Sequence, residues 1–395
     1  MPKIYTSKEH HIRNNLIDPN ALTVLKKLHE AGHTAYLVGG GVRDLLMHKK
    51  PKDFDISTSA LPEDVKKIFR NCLLIGRRFR LAHVRFGRQI IEVSTFRAGD
   101  PNDDELIVRD NIWGTPEEDV MRRDFTINGL FYDPLDHKII DYVGGYDDLQ
   151  NHTLRSIGDP YLRFKQDPVR MIRMQKFRAR FGFLVEKKST EALTACREEI
   201  KKSAPARVLE EIFRMLESGS SEPFFRLLID SKFLHLLFDK LACSFDGELA
   251  ETLFHYLKAA DSMNTRGHYR LLDRSVLTAV LIYPILEKKI QTEFDSLPNL
   301  GQIMDLTHHL IHELLFESFS HFPKKQRFGA QSILQLQYRL TPLGSKKHPR
   351  HRVIKQKSFP NALTFLKLRS LVQPSLFKSY EYWKRVYKTE KDQDS

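Results

Sequence analysis

Residues 37–55 read LVGGGVRDLLMHKKPKDFD. An apolar strand runs into Gly39, Gly40 and Gly41, and a short step later come two aspartates one residue apart, Asp53 and Asp55. Side chains alternate faces along a strand, so these two carboxylates stand side by side while Phe54 turns inward. Like charges so close call for a cation. Mg²⁺ takes a few carboxylate oxygens together with the oxygens of a bound triphosphate, and two such ions can hold both the attacking and the leaving oxygen of an in-line displacement. The glycines lack Cβ atoms, so the backbone can approach phosphates and offer N–H groups, with Arg43 at hand as a cation. Either half alone is common, since Asp-x-Asp recurs on surface loops and a short glycine run is usually a turn. Together and in this order they point to metal-assisted nucleotidyl transfer.

A chain of 395 residues is too long for one ordinary core and implies about two to four domains. The apolar fraction of 41% is enough to fold, and a net charge of +13 directs attention to polyanionic partners. A membrane role is disfavoured: the N-terminal MPKIYTSKEHHIRNN has no apolar run, and Val276–Leu286 is too short to span a bilayer. Cys72, Cys196 and Cys243 are far apart, which fits a reducing cytoplasm better than a disulfide framework or a zinc site.

The first 145 residues alternate helical and extended signals. Asn20 is expected to cap a helix with an apolar stripe of Ala21, Val24, Leu25 and Leu28, stopped by Gly32 before a strand at 34–38. Pro62, Glu63 and Asp64 suit the first turn of a second helix. Strands are expected near 72–75, 83–86, 89–96, 129–132 and 137–141. Connections this short favour a mostly antiparallel sheet. After Gly144 and Gly145 the pattern becomes helical, with helices beginning at Pro168 and Pro205. The reading is an α/β N-terminal domain with a mostly antiparallel sheet followed by an all-α C-terminal half, divided as 1–145, 146–218, 219–317 and 318–395. Between Ser318 and Tyr380 there is no Asp or Glu, while cations such as Lys346, Lys347, Arg350 and Arg369 accumulate beside Phe328, Tyr338, Phe359 and Phe365. That stretch reads as a surface tracking a nucleic-acid backbone.

Residues 119–128, DVMRRDFTIN, set Arg122 and Arg123 beside Asp124, with Asn128 able to make directed hydrogen bonds. Glu92, in the strand IIEVS, is the rival for a third functional carboxylate. Its apolar neighbours make it costly to bury without a partner. His308 and His312 lie four apart, but an HExxH order is absent and no third ligand is in view. His83 reads as structural or RNA-contacting.

The motifs LVGGGVRD, PKDFD, IEVSTFR, RRDFTIN and QDPVRMIR, in this order, resemble the class II branch of the nucleotidyltransferase superfamily. That branch holds bacterial poly(A) polymerases and CCA-adding tRNA nucleotidyltransferases. Within it, LIGRRFRLAHVRFG (74–87) is similar to the signature of the poly(A) polymerases and not to the CCA-enzyme segment. The resemblance implies that Asp53 and Asp55 bind two catalytic Mg²⁺ ions and that Asp124 is an active-site carboxylate. It implies that Gly39, Gly40 and Arg43 handle the triphosphate, that Arg123 and Asn128 line the nucleotide, and that Asp167 and Arg170 read the base. The chain departs from the family at Gln166, where Glu is usual. The implied activity is template-independent addition of AMP from ATP to RNA 3′ ends, those of mRNA and other transcripts with tRNA also possible, in the cytoplasm. The alternative on the same scaffold is CCA or A addition to tRNA. A catalytically silent RNA-binding protein would have no use for the aspartate pair, and a sugar-nucleotide or antibiotic nucleotidyltransferase would leave the basic stretch unexplained.

Overall fold

The computed structural model describes residues 1–395 except 77–80, 99–111, 246, 267–270, 297, 320–321, 342–349 and 394–395. Part of the 74–87 signature, together with Lys346 and Lys347, therefore lies outside the described residues. The chain forms two compact units, one of residues 1–174 and 182–199, the other of residues 175–181 and 200–395.

The first unit is built on an eight-stranded sheet. Its strands in chain order are β1 (Lys3–Tyr5), β2 (Ala35–Val38), β3 (Asp55–Thr58), β4 (Cys72–Ile75), β5 (Leu81–Phe86), β6 (Gln89–Thr95), β7 (Leu130–Asp133) and β8 (Lys138–Asp141). Across the sheet they run β1-β8-β7-β2-β3-β6-β5-β4. Only the β3–β6 pair is parallel, so the mostly antiparallel reading holds. β1 was not foreseen, since three residues carry too little periodicity to announce a strand.

Helix α1 (Pro19–Glu30) buries the expected stripe of Ala21, Val24, Leu25 and Leu28. Its cap is Asp18 rather than Asn20: Asp18 Oδ1 accepts from the Asn20 backbone N–H at 2.8 Å, and Pro19 occupies the first helical position. The Asn20 amide instead donates to Gln89 Oε1 at 2.7 Å, tying α1 to the β5–β6 hairpin. Helix α2 (Gly40–Leu46) leaves β2 directly, and α3 (Pro62–Ile68) follows β3. Val38, Phe96, Val120, Phe131 and Ile157 form a core cluster on the sheet, each buried side chain of this size contributing about 1.5–3 kcal/mol. Val120 reaches this cluster from α4 (Pro116–Met121), whose Thr115–Glu118 capping box fixes where the following Arg122–Asp124 begins. Helices α5 (Gly145–Gln150), α6 (Pro160–Gln166) and α7 (Val169–Phe181) come next, and α7 divides between the two units.

The second unit is helical. Among its longer helices are Pro205–Leu216, Arg274–Glu293, Lys324–Leu340, Phe359–Val372 and Phe377–Gln393. Leu336, Leu340, Phe359, Leu366 and Trp383 form a buried cluster, and Trp383 Nε1 donates to the Leu340 carbonyl at 2.7 Å. This corrects part of the reading of the acid-free stretch. Phe359, Phe365 and Tyr338 are core residues and not part of that surface; of the four aromatics singled out, only Phe328 is exposed. Arg369 is also internal, 3.5 Å from Glu287 and seated over the Tyr283 ring. Helical periodicity puts every third or fourth residue inside even where the composition is basic. Among the described residues, no helix is long and apolar enough to cross a membrane.

Candidate active site

The aspartates sit where the sheet changes from antiparallel to parallel pairing. Asp55 opens β3 between Val38 of β2 and Glu92 of β6, and register partners project from the same face. The same row continues to His83 of β5, whose Nε2 lies 3.6 Å from Glu92 Oε1. Asp53 precedes the strand and is exposed, while Phe54 is half-buried against Gly41. Glu92 avoids the cost of burial: its side chain is 49% exposed, because the residue faces the open side of the sheet with Asp55.

Burial first, then the charges of Glu92 and Asp53, push the Asp55 carboxyl up to about 6 from its usual 3.8. An acid raised in the folded state is neutral in both states at low pH; above its unfolded pKa only the unfolded chain ionises freely, so stability falls as pH rises from about 4 to about 6. With divalent ions chelated, the urea midpoint is expected to drop across this interval by the equivalent of roughly 2–3 kcal/mol. Asp55→Asn is expected to flatten the drop. An equal drop in that variant would show that Asp55 is not its source.

Gly39 makes the turn out of β2 with φ +66° and ψ −133°, a conformation costly for a residue with a Cβ. A Cβ on Gly41 would stand 3.2 Å from the Asp53 carbonyl oxygen, so the glycine run and the aspartate loop are packed backbone to backbone. Arg123 lies over this turn, its Nη1 3.5 Å from where a Gly39 Cβ would be. Its guanidinium is fixed by Asp119 Oδ2 at 2.8 Å, by Ser57 Oγ at 3.2 Å and by the Phe131 ring. Ser57 is two residues beyond Asp55 on the same face and meets Ser94 Oγ at 3.0 Å, so Arg123 is anchored to the strand pair that carries the carboxylates.

Arg43 occupies a different place from the one foreseen. It is buried, donating to Asp44 Oδ1 at 2.7 and 3.0 Å and to Asn128 Oδ1 at 2.6 Å. Asn128 Nδ2 donates in turn to Asp124 Oδ1 at 3.2 Å, which also accepts the Phe125 backbone N–H. Arg43, Asn128 and Asp124 thus form one chain beneath Gly40, with Arg173 3.9 Å from Asp124. Asp167 ends α6 and Arg170 follows in the first turn of α7; Arg170 Nη2 donates to the Arg122 carbonyl at 3.0 Å. Burial, with neighbouring arginines adding to it, lowers Arg122 to about 10 and Arg163 to about 9.

The structure therefore brings Asp53 and Asp55 together with Glu92, and groups Asp124 with Arg43 and Asn128. Sequence reasoning missed Ser57, Asp119 and Arg163. Ser57 was legible from strand parity with Asp55, and Asp119 from its i,i+4 spacing to Arg123.

Among the described residues, the one set of three His, Cys, Asp or Glu ligand atoms within 4.8 Å of one another is His235, Asp239 and Cys243, on the surface of the second unit. The strand carboxylates form an open set instead. That suits an ion bound through one or two carboxylates and completed by phosphate oxygens.

The fold is that of a nucleotidyltransferase. Residues 35–155 match the Poly A polymerase head domain, 182–244 the Probable RNA and SrmB-binding site of polymerase A, and 309–395 the Polymerase A arginine-rich C-terminus. Poly(A) polymerase I of Escherichia coli O157:H7 is 37% identical over 390 residues, covering 93% of this chain and 81% of that protein. A CCA-adding enzyme of Lactobacillus helveticus is 37% identical over 217 residues, covering 54% and 53%. The crystal structure of the Bacillus stearothermophilus CCA-adding enzyme in complex with CTP shares the fold, with a TM-score of 0.63 at 23% identity over 94% of this chain and 83% of that one. The chain belongs to the poly(A) polymerase I family, with CCA-adding enzymes as more distant relatives.

Proposed function

We propose that the protein transfers AMP from ATP to the 3′ end of RNA without a template, releasing pyrophosphate. The observation that carries the reading is the row of Asp55 and Glu92 with Asp53 beside it, next to the Gly39 turn over which Arg123 is fixed. Three acids, one of them raised first by burial and then by the charges of the other two, fit a divalent cation. Mg²⁺ would be held by Asp53 and Asp55, two ions completing the site, with Glu92 adjacent. When bound, the metal lowers the pKa of the attacking hydroxyl and stabilises the charge developing at the α-phosphate.

The chain's own residues do the rest. Arg123, with Ser57 and Asp119 fixing its rotamer, faces the triphosphate at the Gly39–Gly40 turn. Arg43 braces that turn from beneath and orients Asn128 and Asp124 toward the nucleotide. Because these donors are ordered before substrate arrives, little reorganisation is left for the reaction itself. Asp167 and Arg170, at the α6–α7 junction, read adenine: a carboxylate accepts from the exocyclic amine and a guanidinium donates to a ring nitrogen. The exposed cations of 318–380 hold the RNA backbone, which confers affinity for many sequences. Its unpaired cysteines fit a cytoplasmic location.

The test is label transfer. ATP labelled at its α-phosphate should pass label to RNA while unlabelled pyrophosphate accumulates in equal amount, and a chelator should stop both. Label left in free AMP or ADP and absent from the RNA, or transfer unaffected by the chelator, would contradict the chemistry.

A further inference from the structure

Arg163, near the end of α6, is 3% exposed, and no motif singles it out. Burying a guanidinium is strongly unfavourable unless a carboxylate answers it. Its contacts are instead neutral: Nη1 donates to Gln166 Oε1 and Nη2 to the backbone carbonyl of Arg123, both at 3.0 Å. Its Nε has no hydrogen-bond partner among the described residues, and Asp124 and Asp167, whose charges partly offset its burial, make no ion pair with it. A cation kept under such conditions must be held for what it grips. The carbonyl it grips belongs to the residue whose side chain lies over the Gly39 turn and reaches Ser57 on the catalytic strand.

The preceding carbonyl, that of Arg122, accepts from Arg170 Nη2 at 3.0 Å. Two adjacent carbonyls are therefore held by two arginines, one on each side of the α6–α7 junction, and Asp124 follows at once. A guanidinium suits this task because its planar fork can serve two acceptors in fixed directions, which an ammonium on a flexible stem cannot. We propose that Arg163 is a positioning residue that, with Arg170, clamps the Arg122–Arg123 segment and so couples the placement of the triphosphate to the reading of the base. This rests on Asp167 and Arg170 reading the base. Arg163 touches no substrate; it acts through the Arg123 backbone.

The experiment compares Arg163→Met and Arg163→Lys in the full-length protein, measuring kcat and KM for ATP and for CTP on an unstructured RNA, with Tm alongside. Met fills similar volume without a buried charge, a replacement that is often neutral or stabilising. The Met variant is expected to keep its Tm within a few degrees, to lose about ten- to a hundredfold in kcat with ATP, and to narrow the ATP/CTP ratio of kcat/KM by about tenfold, with KM for RNA unchanged. The Lys variant should retain the charge and still narrow the ratio. An unchanged ATP/CTP ratio in both variants overturns the proposal, as does a loss of kcat with the ratio intact. Should the Met variant not fold, the Lys variant decides: a narrowed ratio supports the clamp and a wild-type ratio overturns it. Arg170→Ala separates the two readings. Relaxed preference there with unchanged preference in the Arg163 variants defeats the clamp alone, whereas unchanged preference in Arg170→Ala defeats the base-reading assignment first.

Discussion

Asp53→Ala and Asp55→Ala are each expected to lower the rate of nucleotide transfer by about three orders of magnitude or more, while binding of RNA stays within about twofold. The carboxylates form an open set whose oxygens are to be completed by phosphate, so removing either leaves an ion with too few protein ligands to sit in line with the reacting oxygens. The two variants should differ in stability. Asp55 is half-buried and raised to about 6 by desolvation, Glu92 and Asp53, so its removal relieves repulsion in the metal-free fold. Asp53 is exposed, and its loss should scarcely move Tm. Single-turnover assays at saturating ATP, with RNA affinity measured separately, check both statements. Turnover near that of the wild type in either variant would remove the metal assignment.

Arg170→Ala is expected to reduce the preference for ATP over UTP and GTP by roughly 5- to 150-fold, the equivalent of about 1–3 kcal/mol for one good bidentate pair by analogy with base recognition in DNA grooves. Arg170 is 4% exposed and already donates to the Arg122 carbonyl, so the substitution should also lower the rate with ATP. Competition between ATP and each other nucleotide, scored by sequencing the first added residue, measures the ratio without relying on absolute rates. A preference unchanged from the wild type would place base reading elsewhere.

Much of the first unit was legible because strong local signals agree with the global arrangement. The 72–75 strand falls as expected, and Pro62 marks a helix start, as Pro205 does in the second unit. The closeness of Asp53 and Asp55 was legible from their spacing, but strand parity applies only from Asp55 onward, because Asp53 lies before the strand. What the sequence could not convey were contacts between distant segments. Arg43 lies two residues beyond the glycine run and so read as a phosphate ligand, yet its guanidinium is claimed by Asn128, 85 positions away. Glu92 looked costly to bury because Ile91 and Val93 flank it, but those residues are buried on the opposite face of the strand while Glu92 faces outward beside Asp55. Arg163 carries no local pattern, since its partners include a backbone carbonyl 40 residues earlier. In the basic stretch the composition was legible and the orientation was not: Phe359 and Phe365 belong to the core, whereas Phe328 remains at the surface.

The most direct measurement is incubation of the full-length protein with each nucleoside triphosphate separately and with all four together, on an unstructured RNA and on a tRNA lacking its 3′ end, followed by sequencing of the products. The account predicts extension of the unstructured RNA by many adenosines when ATP is present, with little incorporation of the other nucleotides. Addition of two cytidines and one adenosine to the trimmed tRNA, followed by arrest, with the unstructured RNA left unextended, would contradict it.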